Sequence, residues 1–584
     1  MKTVWITGFL LLLSGIVFAV EPKVQWNGSD LKGGAKDVYG STSLGRSNVN
    51  YIYSQKNGEL SQLSTEFSVE ETSEPLYLYL DALDDDASTV CEIEININDS
   101  LIFSGKNEFG TNWSIKRYEI PEGCLPKEVN KLTIRNIEKS GESGVPPWFM
   151  VSRIAIATET FKFGPTQTLP RFEVLIPEEE REFPEPLAEG EKPGFALRGT
   201  KGWNWTPEQY LEEIPVIAEY KLNFLMNCYS SLFSKDENGR WRNEWWRPLS
   251  EEMKTKYREV FKKARQYKID FCFAVHPQLG SPRPLNPQSM KDIDDYYQHF
   301  EWAQKQGVQW FSISLDDVSW GTEGPAAGAS DHAKLVNLVF ERLRKNDPGV
   351  KMIFCPTPYW GDGTSPDHRA YLETLARELH QDVYVFWTGD AVVPEFMTVE
   401  CAKTYKDIVQ HRLIIWENYP VNDSAPTLHL GPIVNREAGL ADVADGYMSN
   451  PLYPQNEINR IPLATCADFA WNPKGYDPNR SIGQAIVHLA QTDSQRAVLK
   501  ELVEAYPGMI LSKIISTGFN PVIFRFNEKM SNDPQLAEDY IKQIENLRQK
   551  LADEFPDTFN DAKETLRLNI QTMKDQMQAS KSEK

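Results

Sequence analysis

The chain has 584 residues, of which 41% are hydrophobic and 11% aromatic, and its formal net charge at pH 7 is -21. This length exceeds what a single core usually organises, so we expect roughly three domains. The hydrophobic content excludes a disordered chain, and the negative charge argues against nucleic acid or an anionic membrane as a partner, since both would be repelled.

Residues 1–19 have the pattern of a secretory signal peptide. Lys2 precedes an apolar run from Val4 to Phe18, and charge returns at Glu21 after small residues. The run is shorter than the ~20 residues that a spanning helix needs. We therefore expect an exported protein, periplasmic or extracellular, with no membrane span after cleavage.

Residues 24–160 alternate between apolar and polar positions in short segments such as "LYLYLDAL" (76–83) and "CEIEININ" (91–98). Period-two alternation between turn residues predicts a jelly-roll-like β-sandwich, either a carbohydrate-binding module or a structural domain. Cys91 and Cys124 are a candidate disulfide pair, subject to geometry. The cysteines are too scattered to suggest a zinc site.

Residues 161–193 are rich in proline and glutamate, and they read as a linker. From 194 to 490 the pattern changes to short apolar runs, each followed by a helical stretch, which predicts a (β/α)8 TIM barrel. Residues 491–584 are polar with a helical period and predict an α-helical bundle. The eight apolar runs of the barrel occupy residues 194–200, 222–229, 270–277, 310–317, 351–359, 383–390, 413–420 and 445–452.

Every barrel run becomes polar at its C-terminal end. In such barrels the active site lies at the C-terminal ends of the strands, so polar residues far apart in sequence should meet at one mouth. The residues concerned are Asp316, Asp317, Tyr359, Thr388, Asp390, Trp416, Asn418 and Asn450.

The fourth run, "WFSISLDDVSW", ends on the adjacent carboxylates Asp316 and Asp317. Carboxylates among Trp, Tyr and Asn suit glycoside hydrolysis, but neighbours on one strand cannot stand on either side of a glycosidic bond as acid and nucleophile. They fit a substrate that supplies its own nucleophile, as the acetamido carbonyl of a 2-acetamido sugar does. Repulsion between the pair favours keeping one of them protonated, as a general acid requires.

The barrel segment resembles glycoside hydrolase family 84, the β-N-acetylglucosaminidases that include the O-GlcNAcases. The resemblance rests on the ordered blocks "ISLDDVS", "IFCPTPYW", "VFWTGDAVV", "IIWENYPVND" and "YMSNPL". It implies that Asp316 polarises the acetamido group and that Asp317 is the general acid/base. It also implies a substrate-binding set formed by Tyr359 at the acetamido group, Thr388, Trp416 as a wall of the N-acetyl pocket, Asn418, Asp423 on sugar hydroxyls, and Asn450.

The resemblance is weakest at the first two strands. Where the family has G-F-Y-G, this chain has "GTKG", which keeps Gly199 but carries Thr200 and Lys201. The sugar-binding lysine of the family's A-P-K-D-D block is matched by Lys235, displaced by about one position. These changes bear on the exact substrate more than on the mechanism.

Two alternatives stay open. Glu417 could be the nucleophile of a two-carboxylate retaining glycosidase with Asp317 as its acid, and the altered first-strand block is compatible with an inactive carbohydrate-binding protein. His276 reads as a structural histidine. The favoured interpretation is an exported retaining β-N-acetylglucosaminidase without metal or cofactor, acting on a glycan or glycoconjugate that bears N-acetylglucosamine.

Overall fold

The structure is a computed structural model of the chain. The predicted signal peptide, residues 1–19, lies outside the residues that it describes. The chain divides into two compact units, residues 1–167 and 168–584. The structure describes all residues except 1–20, 38–47, 71, 85–89, 127, 142–146, 165–171, 179–180, 234, 236, 238, 240, 424–426, 454–456, 511–518 and 583–584.

The described residues of the first unit form two antiparallel sheets. One has the order β3-β4-β11-β6-β9 with β1 added beside β11, and the other has the order β2-β5-β10-β7-β8. Both sheets contribute to one buried cluster, which includes Leu78 and Ile154 from the first and Ile93 and Ile134 from the second. The strands are β1 (Val24–Asn27), β2 (Lys32–Gly33), β3 (Ala35–Asp37), β4 (Val49–Ile52), β5 (Gln62–Phe67), β6 (Tyr77–Leu83), β7 (Glu92–Ile97), β8 (Ser100–Lys106), β9 (Ser114–Glu119), β10 (Asn130–Asn136) and β11 (Phe149–Ala157).

The candidate disulfide of this unit is not formed. Cys91 and Cys124 are both buried with free thiols. The Cys91 thiol instead lies 3.3 Å from the side-chain amide of Asn107, and burial raises its pKa. Both cysteines therefore act as small core residues.

The second unit is built on a closed barrel of eight parallel strands, which confirms the predicted barrel. Alternate residues face its interior, as Phe224 and Met226 do, whereas Leu225 between them packs outward against the helices. The strands are β12 (Leu197–Lys201), β13 (Phe224–Met226), β14 (Asp270–Val275), β15 (Trp310–Ser314), β16 (Lys351–Cys355), β17 (Tyr384–Trp387), β18 (Leu413–Pro420) and β19 (Gly446–Asn450).

Four of the eight barrel strands are followed by a helix that begins at a side-chain cap. Thr206, Ser250, Ser289 and Thr398 each accept a backbone N–H of the first helical turn, which satisfies a donor that the helix itself leaves unpaired. The helices of the barrel region are α1 (Pro207–Glu219), α2 (Glu251–Gln266), α3 (Met290–Lys305), α4 (Pro325–Asn346), α5 (Pro366–Glu378), α6 (Val399–Val409), α7 (Arg460–Trp471) and α8 (Pro478–Leu489).

The connection from β18 to β19 departs from the predicted strand-helix alternation. Its described residues contain a 3-10 turn, Ala438–Asp442, and no α-helix. Proline at 432 interrupts any helical hydrogen bonding there. Gly431 passes so close to the Pro507 carbonyl that an added Cβ would lie 1.7 Å from its oxygen. The segment is therefore an irregular loop packed on residue 507.

Among the described residues, four further helices follow the barrel. One buried cluster joins their apolar faces, represented by Ile541, Leu551 and Leu566, to Leu428 and Leu430 of the β18–β19 loop. No helix in the described ranges has an apolar stretch that could cross a membrane. The four helices are α9 (Asp493–Ala505), α10 (Pro521–Asn532), α11 (Pro534–Glu554) and α12 (Asn560–Ser582).

In the proline-rich segment before the barrel, Phe161 packs with Tyr79 in the first unit, whereas the described residues from 172 onward belong to the second unit. Val174 belongs to the buried cluster of the last four helices, and its backbone N–H donates to the Glu504 carboxylate at 3.0 Å. Phe183 belongs to the cluster between the strands and the helices of the barrel. Apolar anchors thus hold the segment that the sequence presents as a linker.

Candidate active site

The two adjacent aspartates reach one cavity although neighbouring strand residues point to opposite faces. Leu315 packs outward, so alternation turns Asp316 toward the barrel interior. Asp317 would then point outward, but its φ is +55°. This left-handed conformation, which aspartate tolerates better than most residues, turns the chain after the strand. Both carboxylates consequently line the mouth of the barrel.

Asp316 is held from two sides. The Tyr229 hydroxyl donates a hydrogen bond to its Oδ2 at 2.7 Å. His276 Nε2 lies 3.2 Å from the Asp316 backbone oxygen, and His276 Nδ1 accepts the backbone N–H groups of Gln278 and Leu279. Nδ1 is therefore the acceptor and Nε2 carries the proton. Burial lowers the pKa of His276, which makes it a neutral structural histidine that also positions Asp316.

Asp317, like Asp316, accepts a hydrogen bond from a tyrosine hydroxyl. The Tyr359 hydroxyl donates to its Oδ1 at 2.9 Å. Burial, followed by the charge of the neighbouring aspartate, raises the pKa of both Tyr229 and Tyr359. Both phenols thus remain protonated donors. Each carboxylate of the pair is held by one tyrosine.

The cavity around the pair has a volume of about 100 Å³. The structure brings eight of the ten predicted site residues to its lining. Asn450 Nδ2 donates to Asn418 Oδ1 at 3.0 Å, and Asn418 Nδ2 donates to the Val392 carbonyl at 2.8 Å. These bonds fix the two amides against each other. The eight residues are Asp316, Asp317, Tyr359, Thr388, Trp416, Asn418, Asp423 and Asn450.

Three buried polar atoms of this lining have no hydrogen-bond partner within the described part of the chain. They are Asp316 Oδ1, Trp416 Nε1 and Asn450 Oδ1. Buried polar groups are usually paired, and these offer two acceptors and one N–H donor to a bound molecule. A ligand with an amide N–H and hydroxyl groups would satisfy them.

The structure places two predicted site residues outside the cavity lining. Gly199 lies within β12, where an added Cβ would approach the Phe224 carbonyl oxygen to 2.1 Å, so it permits close strand pairing. Lys235 is exposed, and its ammonium lies 4.5 Å from the ring centroid of Trp241. Asp390, expected at the mouth, instead accepts the backbone N–H and hydroxyl of Thr398.

Sequence reasoning noted Lys201 only as a departure from the family block and did not assign it to the site, and it did not single out Trp203 or Tyr229, although all three line the cavity. Lys201 is the last residue of β12 and is 2% exposed. Tyr229 follows the end of β13 by three residues. The rule that active sites lie at strand ends would have found Lys201 and Tyr229 if it had been applied to the first two strands.

Glu417 does not face the cavity. It lies between the inward residues Trp416 and Asn418 on β18, so its side chain points to the opposite side. Arg436 donates to both of its carboxylate oxygens at 2.8 Å, and the Tyr447 hydroxyl donates at 3.1 Å. The structure thus contradicts its assignment as a nucleophile beside Asp317.

The described residues contain no cluster of three or more His, Cys, Asp or Glu side chains that could hold a metal ion. The cavity offers carboxylate, phenol, indole, amide and ammonium groups at the strand ends of a (β/α)8 barrel. This combination defines a glycoside hydrolase barrel.

Comparison with known proteins gives the family. Residues 198–504, more than half of the chain, match the family model described as beta-N-acetylglucosaminidase. The chain belongs to this family of glycosidases.

Two curated relatives and two solved structures are similar to the chain. Protein O-GlcNAcase from Mus musculus and from Rattus norvegicus are each 24% identical over 281 residues. These alignments cover 47% of this chain and 29% of each relative, so the chain matches less than a third of their length.

The solved structures share the fold. A mutant of the Thermobaculum terrenum O-GlcNAc hydrolase has a TM-score of 0.53 and 22% identity, over 66% of this chain and 84% of that one. CpGH84B has a TM-score of 0.50 and 19% identity, over 84% of this chain and 77% of that one.

The buried Glu417–Arg436 pair predicts a stability effect that is separate from the chemistry. Glu417→Gln leaves the Arg436 charge buried without its counter-ion, and we expect a loss of about 3–5 kcal/mol of stability. A thermal scan would show this loss as a lower melting temperature. The double variant Glu417→Gln/Arg436→Met, which removes both charges, should recover part of it. An unchanged melting temperature with lost turnover would instead give Glu417 a part in the reaction.

Proposed function

We propose that the chain is a retaining, exo-acting β-N-acetylglucosaminidase that uses substrate assistance. It would remove terminal β-linked N-acetylglucosamine, or a related 2-acetamido sugar, from a glycan or glycoconjugate. The observation that carries the proposal is the pair Asp316 and Asp317, turned into one cavity and each held by a tyrosine hydroxyl. Membership of the beta-N-acetylglucosaminidase family supports the sugar class, as do the names of the mouse and rat relatives.

In the first step the acetamido group of the substrate is the nucleophile. Asp316 Oδ1, buried and without a hydrogen-bond partner in the described residues, accepts the acetamido N–H and makes the carbonyl oxygen more nucleophilic. That oxygen attacks the anomeric carbon as the glycosidic bond breaks. Asp317 gives its proton to the departing oxygen, the acetamido N–H proton passes to Asp316, and the sugar becomes an oxazoline.

In the second step water opens the oxazoline. Asp317, now a carboxylate, takes a proton from the water molecule as the water oxygen attacks the anomeric carbon. The bond to the acetamido oxygen breaks, and Asp316 returns its proton to the acetamido nitrogen. Two displacements at one carbon leave the product with the β configuration of the substrate.

The other lining residues suit the same substrate. Trp416 and Tyr359 line the cavity and are assigned to the acetamido group, and Asn418, Asp423 and Asn450 line it as well and are assigned to sugar hydroxyls. Thr388 lines the cavity, but its hydroxyl already donates to the Ala391 carbonyl at 3.0 Å. We therefore assign Thr388 to shaping the loop. The small volume of the cavity supports action on a terminal sugar.

Asp317→Asn tests the general acid. Since this variant cannot protonate the leaving oxygen, we expect kcat/KM for an alkyl or glycan N-acetyl-β-glucosaminide to fall roughly 10²- to 10⁴-fold. An aryl glycoside with an acidic leaving group should lose less in the first step. The control is Asp316→Asn, which should slow both substrates because it weakens the nucleophile. Equal turnover by Asp317→Asn and wild type on both substrates would refute the assignment.

Changing the 2-substituent tests substrate assistance. An aryl β-glucoside with a hydroxyl in place of the acetamido group has no internal nucleophile, and we expect no measurable cleavage. Fluorinating the acetyl group should slow the reaction progressively, because it withdraws electrons from the attacking oxygen. Steady-state rates for the series provide the measurement. Efficient cleavage of the simple glucoside would favour a two-carboxylate mechanism, and no turnover of any acetamido sugar would favour a carbohydrate-binding protein.

We also propose that the protein is exported. The support is the sequence of residues 1–19, which the structure does not describe. N-terminal sequencing of protein recovered from the periplasm or medium of a secreting cell should begin near residue 20. A product that retains Met1 inside the cell would contradict export.

A jelly-roll-like sandwich in the first unit and a helical bundle formed by α9–α12 complete the proposed architecture. The core shared by both sheets supports the sandwich. The buried cluster common to the last four helices supports the bundle. An experimental density map in which the two sheets share no core would contradict the sandwich.

A further inference from the structure

A lysine ammonium lies inside the candidate sugar cavity. Lys201, at the end of β12, is only 2% exposed. Its Nζ lies 4.4 Å from the ring centroid of Trp416, 4.8 Å from that of Trp203 and 4.9 Å from that of Tyr229. Three aromatic faces therefore surround one cation beside the carboxylate pair.

The rings satisfy this cation only in part. A lysine ammonium is a compact, strongly hydrated charge with three donors, and contact with aromatic faces offsets part of the cost of removing it from water. Within the described residues the Lys201 ammonium has no hydrogen bond and no ion pair. Because the residue lines the cavity, a bound molecule can supply the missing acceptors.

The charges of the cavity indicate what kind of acceptor fits. Of the described residues in its lining, Asp316, Asp317 and Asp423 are acidic and Lys201 alone is basic. An anionic substituent on the sugar would add to this negative excess and meet repulsion. A neutral hydroxyl oxygen accepts from the ammonium without that cost.

The position of Lys201 connects it to the reacting groups. Tyr229, whose ring contacts the ammonium, donates its hydroxyl to Asp316. Trp416, whose ring the ammonium approaches most closely, has a buried N–H without a partner in the described residues. A sugar that satisfies Asp316 and Trp416 would thus present its oxygens within the same small cavity as the ammonium.

We propose that Lys201 is a specificity-determining residue whose ammonium donates a hydrogen bond to a neutral hydroxyl of the sugar in the cavity. The inference rests on the proposed function for the identity of that sugar. The resemblance to the family matched Lys235 to the sugar-binding lysine, but the ammonium of Lys235 lies over Trp241. The inference therefore gives the sugar-binding role to Lys201 on strand β12.

The test compares Lys201→Met with Lys235→Met on an aryl N-acetyl-β-glucosaminide. Methionine keeps much of the length and apolar surface of lysine but removes the charge and the donors. Since a hydrogen bond to a charged group is lost, we expect kcat/KM of Lys201→Met to fall roughly 10- to 100-fold, and that of Lys235→Met to change little. Lys262→Met, on the exposed face of α2, controls for the loss of a positive charge. Circular dichroism and thermal melting check the fold of each variant.

A series of monodeoxy substrates identifies the hydroxyl. Wild-type enzyme should have a lower kcat/KM for the analogue that lacks the hydroxyl bound by Lys201 than for the parent sugar. The Lys201→Met variant has already lost this contact, so its kcat/KM should be no lower for that analogue than for the parent sugar. Such non-additivity marks a direct contact. Equal losses for all analogues in both proteins would indicate a structural role and overturn the inference.

Binding separates this inference from the proposed function. Calorimetry with free N-acetylglucosamine, in the Asp317→Asn background, measures sugar affinity without turnover. If the wild-type protein cleaves nothing while sugar binding in this background falls when Lys201 is changed to Met, the proposed enzyme activity is rejected and the contact is kept. Three results would overturn the contact: unchanged binding and turnover in Lys201→Met, a loss confined to Lys235→Met, or a wild-type preference for a sulfated sugar that disappears in Lys201→Met.

Discussion

The site depends on one constraint of backbone geometry: two consecutive carboxylates must face the same cavity, although a strand sends neighbours to opposite sides. The chain meets it by ending β15 at Ser314 and by giving Asp317 a left-handed φ of +55°. Asp316 stays in the interior alternation, while Asp317 turns back toward it. A residue that resists positive φ, such as valine, would return the second position to the outside. The pair therefore arises from a turn as much as from a strand.

The barrel could be predicted because its strands are buried on both sides and read as apolar runs that become polar at one end. Topology then brings Trp416 and Asn450 together without any knowledge of loops, since both lie within strands. Lys235 was different, because sequence comparison gives its place along the chain but not the direction of its side chain. Lys201 was visible as a departure from a family block, yet only three-dimensional packing places its ammonium among the rings of Trp203, Tyr229 and Trp416.

The connection between β18 and β19 shows a second limit of periodicity. A helix was expected there because the other strands of the barrel are each followed by a helical pattern. The close packing of Gly431 and the proline after it prevent a helix at this point. Strand β18 also explains why Glu417 was a plausible but incorrect candidate for the nucleophile. Its sequence position beside Trp416 suggests the cavity, whereas alternation sends it to Arg436 on the outer side. Adjacent residues in a strand share a location in sequence and not a chemical environment.

The groups that contact the carboxylate pair have a consequence for how the site responds to acidity. Burial keeps His276 neutral by lowering its pKa, and burial beside a carboxylate keeps Tyr229 and Tyr359 protonated by raising theirs. None of the three changes its proton count between about pH 6.5 and 10, the ordinary values of histidine and tyrosine. The scaffold of donors around Asp316 and Asp317 is thus constant across neutral conditions, and a proton can move at the pair without rearranging the contacts that aim it.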